Sequence, residues 1–405
     1  MIAEKRISLA RIDKIKPDSI DEALKAGAYG GLKIALGMNP EDMLEQFEKS
    51  GLRGRGGAGF PTGLKQKFTR NSCDACMKYI ICNADEGEPG TFKDRIIMER
   101  DPHILIEGMI IAAHVIGARK GFIYIRGEYH LSIEMLQKAL DDAYSEGFLG
   151  ENILHSDFDF DIELRLGAGS YLCGKDLTLL ESREGKYGYL RIQHPFPAEK
   201  GLWDSPTLVN NVETFSHLPA ILNEGIEWYT SLGTKESKGT KIFTVSGRVQ
   251  KPGFFEMEMG CTLRELLFEL AGGMKEGYEF KGALLGGAAG TFVDETMLDT
   301  PLAYETLKAK GATLGSGAIL VLDQKTDMPS LLHNLMEFFK HESCGKCVPC
   351  RVGTTMLTEM ASKLKSEPGL IQKMTEEAEY MAKTSLCPLG QSPILPLKSY
   401  EKYFS

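Results

Sequence analysis

The sequence predicts an α/β fold on a parallel sheet, then a smaller mixed module and a helical C-terminal part. Three observations support this. Between residues 79 and 166, strand-like apolar runs alternate with amphipathic helical stretches. Between residues 241 and 285, two adjacent strand patterns precede a helix and a third strand. From Met328 onward the apolar residues recur at helical spacing. A polar break at Ser231–Gly239 reads as a linker, and the predicted units are 1–235, 236–325 and 326–405.

The chain has 405 residues, enough for two or three cores, and its net charge of −9 gives no basic footprint for nucleic acid. No apolar run is long enough to span a bilayer, and Met1–Lys16 lacks the apolar stretch of a signal peptide. The expected setting is cytoplasmic, with any membrane association made through a partner. The nine cysteines are unevenly spread: Cys344, Cys347, Cys350 and Cys387 lie near the C-terminus, Cys73, Cys76 and Cys82 form a second group, and Cys173 and Cys261 stand alone. Without export signals, clustered cysteines more often hold metal than form disulfides.

Helices are predicted at Ser19–Ala26 and Tyr29–Leu36, and again at Glu41–Ser50, where Met43, Leu44 and Phe47 share a face. Next comes Gly51-Leu-Arg-Gly-Arg-Gly-Gly-Ala-Gly-Phe-Pro-Thr-Gly-Leu-Lys65, with six glycines in fifteen residues. Such a backbone can approach a flat anionic ligand and offer it N–H groups, with Arg53, Arg55 and Lys65 nearby. Gly54, Gly56 and Gly59 match G-x-G-x-x-G in form, but a helix pattern precedes them where a dinucleotide fingerprint needs a strand. A phosphate or flavin cradle is the preferred reading over a flexible surface loop.

Tyr79–Cys82 reads as a buried strand running into Asn83-Ala-Asp85-Glu86-Gly-Glu88, carboxylates at a strand end where open α/β sheets bind ligands. A helix at Pro102–Gly117, a strand at Gly121–Arg126, a helix at Tyr129–Tyr144 and a strand at Phe158–Leu166 follow. The last strand leads through Gly167–Gly174, Lys175 and Asp176 into a helix, a second ligand-facing turn. Cys173 reads as packing, because no base lies near it in sequence. Gly185–Pro206 is a loop containing Pro195-Phe196-Pro197, after which Ser205–Thr214 opens a helix with the paired amides Asn210 and Asn211. Strands at Lys241–Val249, Phe254–Met259 and Lys281–Leu285, with a helix at Thr262–Ala271, suggest a β-grasp-like module of structural role.

The strongest signal is Cys344-Gly-Lys-Cys347-Val-Pro-Cys350 with the remote Cys387. Three close thiolates can take three corners of a cubane while a distant fourth closes it; zinc is the rival, but usually takes two separated C-x2-C pairs or histidines. Lys346 and Arg351 would raise the potential of such a cluster. Cys73-Asp-Ala-Cys76 carries no assignment.

With these motifs together, the sequence resembles the flavin-containing, NADH-oxidising subunit of respiratory complex I and its relatives in soluble hydrogenases and formate dehydrogenases. The resemblance rests on the glycine-rich stretch 51–65, on Asn83-Ala-Asp-Glu-Gly-Glu-Pro-Gly-Thr-Phe-Lys-Asp-Arg95, on Val209-Asn-Asn-Val-Glu-Thr214 and on Glu342-Ser-Cys-Gly-Lys-Cys347. It implies FMN held by Gly54, Gly56, Gly57, Lys65, Asn83, Asp85, Glu86, Tyr171, Gly174, Asn210, Asn211 and Thr214. It implies a nicotinamide-nucleotide site lined by Phe60, Phe68, Glu88, Phe196 and the turn holding Lys175 and Asp176. It further implies a [4Fe–4S] cluster on the four C-terminal cysteines, with a ubiquitin-like (SLBB-like) middle module. Hydride would pass between NAD(H) and FMN, then single electrons to the cluster. The implied partners are a thioredoxin-like [2Fe–2S] subunit and a larger iron–sulfur subunit.

Two stretches depart from the family pattern. Gly-Glu-Glu-Thr is Gly174-Lys175-Asp176-Leu177 here, and a lysine before Pro-Phe-Pro is Gln193. A cation at Lys175 suits a 2′-phosphate, so NADP(H) preference is one alternative. A wiring subunit that keeps both cofactors but no longer turns over nucleotides is another.

Overall fold

The computed structural model describes residues 2–73, 76–191 and 194–405. Strands β1 (Tyr79–Ala84), β2 (Lys120–Arg126), β3 (Asp161–Gly167) and β4 (Thr207–Asn211) form one parallel sheet in the order β3-β2-β1-β4. Strands β1, β2 and β4 are largely buried on both faces, as covered strands require, whereas the edge strand β3 alternates Asp161, Glu163 and Arg165 with apolar residues and buries only Ile162. Ile80, Cys82, Ile123, Ile125 and Leu208 share a core with the helix Pro102–Ile116. That helix is buried almost all round; Asp101 accepts from the amide of Ile104 at its start and Gly117 turns left-handed at its end.

Strand β4 departs from expectation, since the pattern of Ser205–Thr214 suggests a helix opening. The run Thr207-Leu-Val is too short to show alternation, and pairing with β1 decides its state. Only Val212–Ser216 is helical. Among the helices without a counterpart in the sequence expectations are Thr62–Asn71, which overlaps the end of the glycine-rich loop, and Lys93–Arg100, after β1.

Strands β5 (Thr240–Gly247), β6 (Gly253–Glu258), β7 (Phe280–Leu285), β8 (Thr291–Val293) and β9 (Ala318–Asp323) build a mixed sheet in the order β6-β5-β9-β7-β8, with β5 and β9 parallel. The sequence predicts three of these. Ala318–Asp323 is a continuous apolar run that periodicity cannot type, although it is the central strand. The predicted helix Thr262–Ala271 is a π-helical turn at Glu265–Leu270.

The C-terminal part is helical over Met328–His341, Val348–Lys363, Leu370–Thr384 and Ile394–Phe404. Leu332, Leu335, Met336 and Phe339 are buried in one core with Ile81, Tyr124 and Val209 from the second face of the parallel sheet.

The N-terminal alternation Arg6–Ile12 forms turns that join the two sheets. Glu256 on β6 accepts from the amides of Ser8 and Leu9 at 3.0 and 2.9 Å and from the Thr240 hydroxyl at 2.6 Å. Arg11 meets Asp101 with two bonds of 2.8 and 3.0 Å. Burial pushes the Glu256 carboxyl up to about 7 despite these hydrogen bonds. A carboxyl raised on folding contributes most below its usual 4.5 and loses that contribution as pH rises to about 7. The thermal midpoint should therefore carry a downward slope across that window, and Glu256→Gln should flatten it. An unchanged slope in the variant would place the dependence elsewhere.

Candidate functional site

At the carboxyl ends of β1, β3 and β4 opens a cleft of about 460 Å³. The chain order reverses at β1, with β2 and β3 to one side and β4 to the other, and open α/β sheets leave a crevice at such a switch. All twelve residues that the resemblance assigns to FMN line this cleft. Of the nucleotide set, Phe60, Glu88, Lys175 and Asp176 line it, and Phe68 and Phe196 do not. Both of these are exposed, Phe68 on the helix Thr62–Asn71, which packs against the short helix Pro197–Lys200 that follows Phe196. Gln193 lies outside the described residues.

The mixed sheet supplies Gly286, Ala289, Thr313, Gly315 and Ser316 to the lining, and the C-terminal part supplies Pro388, Leu389, Ser392 and Leu395. A purely structural role for the middle module is therefore corrected. Its turns form one wall of the cleft.

The glycine-rich loop is closed by the amide of Gly54 donating to Phe60 O at 2.8 Å, and Arg55 N donates to Thr214 Oγ1 at 2.8 Å. A Cβ on Gly56 would come within 3.1 Å of Asn211, and one on Gly174 within 3.2 Å of Asp85 O. Small residues here let the backbone pack closely against the β1 and β4 turns. Two buried polar atoms in the lining, Asn210 Nδ2 and Asp85 Oδ2, have no partner among the described residues. Burial first, and then Glu128 and Glu342, pushes Asp85 up to about 7 against the pull of Arg126. A bare amide and a bare carboxyl beside open amides suit the hydroxyls and ring N–H and C=O groups of a flavin, so the residues fit FMN.

Other predicted ligands are already engaged. Glu86 accepts from the amides of Asp94 and Arg95 at 2.8 and 3.1 Å, so its carboxylate starts the helix Lys93–Arg100. Burial carries it to about 8. Asn83 donates to Gly174 O at 2.6 Å and ties the β1 and β3 turns together. Glu88 accepts from Tyr171 Oη at 2.6 Å and Ala289 N at 3.2 Å; burial pushes it up while these bonds oppose the shift. Lys65 reaches Asp176 at 3.2 Å and donates to Val209 O.

Sequence reasoning missed the charges beneath the cleft. Lys93 contacts Asp94 at 2.6 Å and Glu213 at 3.0 Å; Lys241 on β5 lies 3.5 Å from Glu213 and donates to Arg55 O at 3.0 Å. Asn211 bridges Lys93 and Asp94. Lys93 and Asp94 themselves line the cleft. Despite full burial, the facing cations Lys241, Lys93 and Arg55 hold Glu213 down at about 2, whereas burial lowers Lys241 to about 8. The available signal was the pair Lys93-Asp94 inside an otherwise ligand-like motif.

Cys350 and Cys387 are buried, and Cys344 and Cys347 half-buried against the same core. Burial and then the other three thiols, opposed by Ser343, push Cys350 up to about 11. A cationic centre would favour the thiolate of a thiol so raised, and four cysteines around one core supply the sulfur donors a metal cluster takes. Among the described residues no three His, Cys, Asp or Glu side chains gather as around one ion. Glu342 accepts from Tyr171 N at 3.0 Å, and Phe338 packs edge-on against the Tyr171 ring at 5.0 Å. Cys173 is buried beside Gly188, as packing predicts.

Residues 47–220 match the Nuo51 FMN-binding domain, 242–288 the SLBB domain, and 330–405 the NADH-ubiquinone oxidoreductase-F iron-sulfur binding region. The F subunit of the NADH-quinone oxidoreductase of Aquifex aeolicus is 46% identical over 386 residues, covering 94% of this chain and 88% of its own. The chain belongs to this family. The resemblance drawn from the motifs is therefore correct. The NADP-reducing hydrogenase subunit HndC of Solidesulfovibrio fructosivorans is 43% identical, covering 97% of this chain and 81% of its own. A crystal structure of NAD+-reducing [NiFe]-hydrogenase in the H2-reduced state superposes with a TM-score of 0.85 at 34% identity, over 99% of this chain. The chain spans 65% of that hydrogenase chain. FMN and a [4Fe–4S] cluster are the cofactors of this family of flavin and iron–sulfur subunits. No helix among the described residues is long and apolar enough to cross a membrane.

Glu213→Gln leaves Lys93 and Lys241 buried without their shared carboxylate. Removing one partner of a buried ion pair costs roughly 3–5 kcal/mol. Urea unfolding should show a loss of that size, whereas a change below about 1 kcal/mol would mean the lysines are satisfied otherwise.

Proposed function

We propose that this chain is the electron-input subunit of a multisubunit oxidoreductase, taking electrons from NAD(H) at the cleft and delivering them to the cysteine cluster. One observation carries the reading: Pro388 and Leu389 line the cleft, and Cys387 is the residue before them. The flavin site and the cluster site share a wall. When bound, FMN supplies conversion of a two-electron hydride donor into a one-electron source, and the [4Fe–4S] cluster supplies the one-electron acceptor.

The chain's own residues would divide the work. Asn210 and Asp85 would offer the free amide and carboxyl to FMN, Lys65 its charge, and the Gly54–Gly57 amides the cradle. Phe60 would present its exposed ring to the nucleotide in the cleft, and Phe68 and Phe196, exposed outside the lining, would meet only a part of it that extends beyond the cleft. Cys344, Cys347, Cys350 and Cys387 would hold the cluster. The strand order β6-β5-β9-β7-β8, with the first and last strands of the unit parallel at its centre, supports a ubiquitin-like β-grasp module. The change of sheet between Asn211 and Thr240 supports the division at 235, with the cluster-bearing bundle from 326. Downstream carriers would be a thioredoxin-like [2Fe–2S] subunit and a larger iron–sulfur subunit.

A second reading is NADP(H) preference, favoured by Lys175 in the cleft wall and by the relative whose name specifies NADP reduction. Anaerobic titration of the holoprotein separates the readings. NADH should bleach the flavin absorbance rapidly. Bleaching by NADPH alone, abolished in Lys175→Glu, would make Lys175 the specificity determinant. Flavin that neither nucleotide reduces, also with partner subunits present, would make this a wiring subunit.

Cys387→Ala should abolish the iron–sulfur electron paramagnetic resonance signal while the flavin stays bound and reducible. A retained signal would remove Cys387 from the ligand set.

A further inference from the structure

Tyr304 lies 250 residues beyond Gly54, in the first turn of the helix Tyr304–Ala309 of the middle module, and reaches into the glycine-rich loop. Its hydroxyl donates to Gly54 O at 2.8 Å. Its ring fills the space beside Gly59, where a Cβ would come within 2.6 Å of Cε1 and where the backbone φ is +64°. On the ring lies the Arg53 guanidinium, 4.3 Å from the centroid, whose Nε donates to Gly59 O at 2.6 Å. One side chain thus touches both ends of the Gly54–Gly59 segment.

Tyr304 is itself anchored. Its amide donates to Ser237 Oγ at 3.3 Å, and the next residue, Glu305, accepts from Ser237 Oγ at 2.6 Å and Thr234 Oγ1 at 2.5 Å. The neighbouring linker carbonyl of Lys238 accepts from Arg55 Nη2 at 2.5 Å. The same module also holds the segment after β1, where Ser316 Oγ pairs with Thr91 Oγ1 at 2.6 Å and Thr244 Oγ1 donates to Gly90 O at 2.7 Å.

A loop of glycines has many backbone states, and its amides converge on a ligand only if something outside the loop selects one. We propose that Tyr304 is that selector: a positioning residue through which the middle module sets the glycine-rich loop for FMN. The inference rests on the flavin reading of the cleft. Tyr304 does not line the cleft, so it acts through Gly54 and Gly59.

The test uses the full chain, stripped of flavin and titrated with FMN. Fluorescence quenching gives the Kd, and visible circular dichroism of the bound flavin reports how it is held. Tyr304→Phe keeps the ring beneath Gly59 and Arg53 and removes only the bond to Gly54. FMN binding should weaken about tenfold, the size of one buried hydrogen bond. The visible dichroism should change, and the cluster's paramagnetic signal should stay. Tyr304→Ala should weaken binding further. Wild-type affinity and dichroism in Tyr304→Phe would overturn the proposal, as would flavin loss accompanied by equal cluster loss, which would mark a fold-wide role. Failure of the wild-type chain to bind FMN would instead sink the flavin reading itself.

Discussion

The architecture depends on one buried carboxylate. Glu213 follows β4, meets Lys93 from the β1 side and Lys241 from the second sheet, and accepts from Ile242 N at 2.7 Å. A fully buried anion is unfavourable unless cations and N–H groups surround it, so these three segments can come together in few ways. Lys241 passes the constraint to the Arg55 carbonyl, inside the glycine-rich loop. The cleft is therefore held from below by charge and from the side by packing. Neither depends on the loop's own conformational preference.

Apolar packing makes the second connection. Cys350 and Cys387 belong to the same buried core as Ile81 and Val209, the residues facing the C-terminal helices from β1 and β4. The C-terminal helices and the cysteines beside them are thus continuous with the parallel sheet. Lys346, between two of the cysteines, donates to Leu190 O at 2.6 Å and ties the cysteine loop to the segment leading toward Phe196.

What was legible in the sequence was chemistry concentrated in short stretches. The glycine-rich loop, the β1 carboxylates, the paired asparagines and the cysteine spacing all stand out because a ligand demands unusual residues close together. What escaped was set by contacts distant in sequence. β4 is a strand because β1 pairs with it, and β9 is central because β5 and β7 flank it. Lys241 looks like an ordinary surface charge in sequence and Arg55 like a cation facing a ligand, yet both are fully buried, as is Lys93. Glu86 looks like a ligand carboxylate and commits its oxygens to a helix start. Tyr304 and Ser316 sit in stretches without local signal, since their partners Gly54 and Thr91 lie more than two hundred residues away.

The cleft lining begins at Gly54 and is complete only at Leu395. Strands β1 to β4 can pair once residue 211 is made, but the wall from the mixed sheet and the wall beside Cys387 arrive last. No fragment ending before residue 395 carries the whole lining. During synthesis on the ribosome the cleft is thus an open bowl until residue 395 has been made.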